Sequence, residues 1–297
     1  MTDLYTIYPH PTFDSPVLIL ALEGWIDAGG ASSRLTTSIL EDANTIPVAS
    51  FNADLLLDHR SRRPIMRIED GVHTELVWPS IELVGLNDPH GRDVLVLSGA
   101  EPDHQWQAVA RSVVSLASEL GVRLIIGVGA FPAAAPHTRP ALIASTTASP
   151  ELVDRRGTIR STIDVPAGIQ AAIEVEAAAA GIPAIGLWAQ VPHYAAGMPY
   201  PAASLSLAAK VNELGNLSFP TGTLASEATA VTNRLNKLVA DNSEHTAMLR
   251  QLEEHVDEQA ENLPELGTST QAPDEADLPS GEELAGEIER FLRGQGS

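Results

Sequence analysis

Four short, continuous apolar runs separated by helical patterns constrain this chain more than anything else in it. "SPVLILALEGW" is bounded by turn signals and carries no alternation, as expected of a strand buried on both faces. "DVLVLSG", "VRLIIGVGAF" and "PAIGLWAQV" read the same way. Between the second and third the spacing predicts a helix of about four turns. Asp103 is placed to cap it, and Trp106, Val109, Val113, Leu116 and Leu120 form its apolar stripe. Before the fourth run, "AGIQAAIEVEAAAAG" predicts a helix that stops at Gly181. Strand–helix–strand repetition demands an α/β fold with a mixed, mainly parallel sheet between helices. "SFNADLLLDH", "IMRIEDGVHTELVW" and "IELVGL" have no helix between them and predict an antiparallel excursion.

These elements fill residues 1–220, the α/β core. Past Pro220 the pattern changes. Leu224, Ala228, Val231, Leu235 and Leu238 alternate steps of four and three, and Leu249, Leu252 and Val256 keep the register. Asn242 and His245 interrupt it, and Asp241 with Glu244 forms a capping-box-like start. Residues 221–262 are therefore expected to form a helical hairpin, although the register also permits one rod. Residues 263–279 read as an acidic linker, and 280–297 as an amphipathic helix with Ser280 and Glu283 at its start.

Charge and missing residue types exclude several functions. The chain carries a net charge of −21, which argues against nucleic acid, since phosphate contacts need clustered basic residues. Residues 241–297 hold 15 acidic and three basic residues, a net of −12. There is no cysteine, so thiolate catalysis, thiolate metal sites and disulfides are excluded. No apolar run approaches the roughly 20 residues that span a bilayer. "MTDLYTIYPHPTF" lacks the basic start and apolar run of a signal peptide, so a cytoplasmic location is expected. Neither a metal nor a cofactor is expected.

Chemistry-bearing residues gather where strands end. "GWIDAGGAS" follows the first run and opens a helix, the position where α/β folds bind ligands. Gly24 and Gly29 have phosphate-loop spacing, yet Gly30 and Ala31 stand where a lysine and a hydroxyl residue would grip phosphate. Asp27 then either caps backbone amides or faces a ligand. In "PHTRP" the residues before each proline are pushed toward extended geometry, which projects His137 and Arg139 to one side and Thr138 to the other. That pair either holds an anion or meets a local acid such as Asp27 while His137 bonds to backbone. "GLWAQVPHYAAGMPYP" places Pro192, His193 and Tyr194 after the fourth run, and Pro136 and Pro192 both precede a histidine. Two parallel strands ending in Pro-His open on the same edge. The candidate crevice is thus Gly24, Trp25, Asp27, Gly29, Pro136, His137, Arg139, Pro192, His193 and Tyr194. No G-x-S-x-G elbow or H-E-x-x-H motif is present.

"EGWIDAGGAS" resembles the Gly-Trp-x-Asp-Ala-Gly signature of the proteasome assembly chaperone family, among relatives of its second subunit. "PHTRP" and "GLWAQVPHYAAGMPYPAA" resemble its two later signatures in their actinobacterial form, and "SGEELAGEIERFLR" is similar to the end of those chains. The resemblance covers most of residues 15–215. It implies a fold like that of purine nucleoside phosphorylases, homo-oligomers with trimers favoured, and action through protein contacts with proteasome-related or other protein partners. Eukaryotic members dock by a hydrophobic–tyrosine–any-residue ending. This chain ends "FLRGQGS" and does not carry it. The alternative is a small-molecule site, hydrolase- or phosphorylase-like, in the crevice itself.

Overall fold

The computed structural model describes residues 4–24, 26–153, 162, 164–240 and 243–261. Trp25, Asp241, the linker 263–279 and the terminal helix 280–297 lie outside the described residues. The chain divides into two compact units, Met1–Val256 and Asp257–Ser297.

The four apolar runs form the parallel centre of an eight-stranded sheet. They are β2 (Val17–Glu23), β7 (Asp93–Ala100), β8 (Leu124–Ala133) and β10 (Ala184–Pro192), adjacent in the order β7-β2-β8-β10. Short strands extend this centre antiparallel on both sides. On the β7 side stand β6 (Ile81–Asn87), β3 (Ile46–Phe51) and β1 (Tyr5–Ile7), and on the β10 side β9 (Ile143–Thr146) is outermost. Of the excursion expected from the sequence, "IELVGL" forms β6, but "SFNADLLLDH" holds only the last two residues of β3 and then a helical turn, α2 (Ala53–Leu56), capped by Asn52. Its remaining strands, β4 (Ile65–Glu69) and β5 (Val72–Val77), pair only with each other.

Helices cover both faces, because strands buried on both sides need two apolar layers. On one face α1 (Ala31–Leu40) and α5 (Pro201–Gly215) pack over Ile19, Ile126 and Leu187. On the other, α3 (Trp106–Glu119) and α4 (Ile169–Ala179) pack over Leu18, Leu95 and Ile125. Val109, Val113 and Leu116 of the expected α3 stripe are buried, but Asp103 does not cap that helix. Gln105, in left-handed geometry, precedes α3, while the Asp103 carboxylate accepts from the Asp58 amide and from Arg62. Gly181 follows α4 at φ +76°, where the stop was expected.

Past the core come α6 (Gly222–Ala240) and α7 (Ser243–Glu261). Leu224, Ala228 and Leu235 of α6 are buried, packed with the α5 layer. Leu238, the last position of the stripe, is exposed.

Candidate functional site

The loops after β2, β8 and β10 all leave the same edge of the parallel centre, and the chain runs from β2 to β7 on one side before crossing to β8 on the other. Open α/β sheets bind ligands at such a switch point. Here the loops bind one another. The Gly29 amide donates to Ala196 O at 2.8 Å, and the Tyr200 amide returns the bond to Gly29 O at 2.9 Å. Gly29 sits at φ +65°, and a Cβ there would lie 2.7 Å from the Tyr200 Cβ. Only glycine permits both the turn and the approach.

Asp27 completes this turn as an amide cap. Its two carboxylate oxygens accept from the Ser32 amide at 2.7 Å and the Ser33 amide at 3.0 Å, and the second also accepts the Ser33 hydroxyl at 2.6 Å. A carboxylate at the start of α1 is favoured by the helix dipole and the unpaired amides. The expected pairing with Arg139 is not formed; Arg139 meets Glu253 of α7 at 3.4 Å.

"PHTRP" is a turn rather than an extended segment, closed by the Arg139 amide on Pro136 O. The turn separates the side chains differently from the expected alternation. His137 points inward and is 3% exposed, while Thr138 and Arg139 both reach Glu253. The His137 backbone N–H donates to the Tyr194 hydroxyl at 2.9 Å, and its Nδ1 lies 2.8 Å from the same oxygen. Its Nε2 lies 3.1 Å from Asn236 Oδ1 on α6. These contacts close with the proton on Nε2: Nε2–H donates to Asn236, and the Tyr194 O–H donates to Nδ1. His193 is exposed and stacks its edge on Tyr194, at a ring separation of 5.4 Å. Pro136 and Pro192 are buried, and Gly24 is exposed at φ +136°.

Burial lowers the His137 pKa, partly offset by Asn236 and Glu253. Burial likewise pushes the Tyr194 hydroxyl up to about 12. Both shifts favour the neutral forms. Tyr194 keeps its proton instead of presenting an activated nucleophile, which would need a depressed pKa, and His137 stays uncharged.

An apolar groove of about 800 Å3 opens beside this knot, between the two glycine-rich turns and α6. Gly30, Met198, Tyr200 and Val231 line it, with Arg34 and Glu227. Those two form a two-pronged ion pair from α1 to α6 at 2.9 and 2.7 Å. His137, Arg139, His193 and Tyr194 do not line it. Asn236, Glu253 and Tyr200 are the residues that sequence reasoning missed. Two of them lie about a hundred residues from their partners, and no local spacing marks them.

The PAC2 family model matches residues 21–239, which include every part of this knot except Glu253. The chain belongs to the PAC2 family. Solved structures similar to it include actinobacterial proteins. One from Corynebacterium glutamicum, of unknown function, is 30% identical, with a TM-score of 0.83 over 88% of this chain and 100% of its own. A Mycobacterium tuberculosis protein of unknown function is 35% identical, with a TM-score of 0.80 over 87% of this PAC2 chain and 90% of its own. A Mycobacterium tuberculosis proteasome-assembly chaperone homologue is 28% identical, with a TM-score of 0.73 over 78% and 99%. No curated protein matches the sequence. No helix among the described residues is long and apolar enough to cross a membrane.

Proposed function

We propose that this PAC2 protein is a cytoplasmic homo-oligomer, with a trimer favoured, that acts through protein–protein contacts in the manner of proteasome assembly chaperones. The observation that carries this reading is the β4–β5 hairpin. Every residue of both strands is exposed, including Ile65 at 72%. Its cross-strand pairs Ile65–Val77 and Met66–Leu76 put apolar side chains on both faces, and Trp78 follows at 52% exposure. An isolated two-stranded hairpin is marginal in water, so a surface of this kind is built to be covered. Charge supports a second copy as the cover. Residues 59–64, which lead into the hairpin, carry three arginines and no acid in a chain of net charge −21; Arg62 is paired with Asp103, and within the hairpin Arg67 faces Glu75. A second copy would bring a complementary acidic surface to Arg60 and Arg63.

The rival small-molecule reading needs the candidate side chains to face a cavity. Asp27 reaches only a cavity of about 30 Å3, and its carboxylate, like His137, Arg139 and Tyr194, is bonded to Ser32, Asn236, Glu253 or another member of the set. Light scattering should report a multiple of 31.4 kDa, and Ile65→Lys with Val77→Lys should reduce it without lowering helix content. A wild-type monomer overturns the self-association. The family relationship supports a proteasome-related client. Pull-down from native cytoplasm with mass spectrometry tests this; recovery of nothing beyond the protein's own copies rejects the client.

A further inference from the structure

The sheet-facing side of α4 consists of Ile169, Ile173, Ala177 and, unexpectedly, Glu174, which is 5% exposed. An amphipathic helix ordinarily places an apolar residue there. The strands beneath are shaped to receive the acid. A Cβ on Gly186 of β10 would lie 2.7 Å from Glu174 Oε1 and 2.9 Å from Thr146 Oγ1 of β9, and a Cβ on Gly127 of β8 would collide with the Gln170 amide. Gln170 Nε2 donates to Glu174 Oε1 at 3.1 Å, and Trp188 Nε1 donates to Thr146 Oγ1 at 3.0 Å. Two glycines therefore keep open a polar chamber between helix and sheet.

No cation faces this chamber among the described residues. Strands β8, β9 and β10 contain no charged residue. On α3, Arg111 and Glu119 are exposed, and on α4 Glu176 is half-buried. Glu101, at the mouth of the chamber, is committed to the Ile169 amide at 2.7 Å. A neighbouring cavity of about 30 Å3, lined by Gln170, Trp188 and Glu101, has room for a single water. Burial accordingly pushes the Glu174 carboxyl up to about 7, against a smaller downward pull from Gln170.

We propose that α4 and the outermost strand β9 form a proton-linked flank, docked on the sheet over a neutral Glu174 and loosened when that carboxyl ionises. Among the described residues β9 pairs only with β10, through Gly186–Ala189. Its release leaves the backbone of β10 open at the sheet edge, a surface on which a further strand adds. The native state holds the proton more tightly than an opened state does. Docking is thus strongest below the ordinary carboxylate range, weakens as pH rises, and has lost the whole contribution above about pH 7.

Hydrogen exchange of the full chain, corrected for intrinsic rates, tests this. The opening constant of residues 169–179 should rise about tenfold between pH 6 and 8, while α1 stays level. Glu174→Gln, which keeps the shape and the Gln170 contact, should abolish the rise. A flat wild-type profile, or the same rise in the variant, overturns the proposal. If the variant does not fold, carboxyl 13C titration of the wild type decides, since the absence of a glutamate titrating above about pH 6 is equally fatal.

Discussion

Replacing Tyr194 by phenylalanine removes a single oxygen, and the geometry around it sets the cost. That oxygen accepts the His137 backbone N–H and donates to His137 Nδ1, beside a histidine that is 3% exposed. Phenylalanine fills the ring's place but satisfies neither group. A buried donor or acceptor left without a partner costs about 1–3 kcal/mol. Two such groups, one of them at the rim where water reaches part of Tyr194, give an expected loss of about 2–4 kcal/mol. For a domain of this size that corresponds to a melting temperature lower by about 4–16 °C. Urea melts followed by circular dichroism measure it, with Tyr8→Phe as an exposed control. A loss below about 0.5 kcal/mol, the range of ordinary surface substitutions, would show that the hydroxyl is not a structural partner of His137 and would sink the account of the knot.

Two further outcomes follow from the same edge. Gly29→Ala combines a left-handed backbone with a contact at 2.7 Å, so it should cost about 2–4 kcal/mol. Gly30→Ala, at φ +60° with open space around it, should cost only about 1 kcal/mol; equal losses in denaturant melts would remove the role assigned to the Tyr200 contact. Because His137 is harder to protonate in the folded state, stability should fall as pH drops below the ordinary histidine range of about 6.5. Melting curves at pH 7.5 and 5 in wild type and His137→Gln check this, and an identical acid loss in both acquits the histidine.

The parallel centre was legible because burial on both faces writes itself as an unbroken apolar run, and the helices because their stripes repeat every three or four residues. The knot was not. The rule that a residue before proline is extended describes local sterics, and it yields in "PHTRP" to contacts with Tyr194 and α6. Asp103 has the right type and place for a cap, but Arg62 and the Asp58 amide, 41 and 45 residues away, compete for it. The reason for the glycines of "IIGVGAF" lies across the sheet. Gly127 clears Gln170, and Gly129 clears the Trp188 ring, which a Cβ would meet at 2.5 Å. Asp27 was read with two roles open, and the carboxylate's three short contacts to Ser32 and Ser33 select the cap.

A parallel sheet normally leaves its C-terminal edge open, and function on such folds depends on what fills that edge. In this chain the first and third signature loops are cross-bonded, and α6 and α7 reach the second through Asn236 and Glu253. Asp27, His137 and Tyr194 each have a partner whose removal leaves another group orphaned, although the buried Tyr200 hydroxyl has none among the described residues; the bonded groups suit a rigid edge better than one that rearranges around a substrate. Apolar surface is open both in the groove beside this edge and on the β4–β5 hairpin, which joins none of the sheet's strands. A bonded edge flanked by exposed apolar surface supports the proposed action through protein contacts.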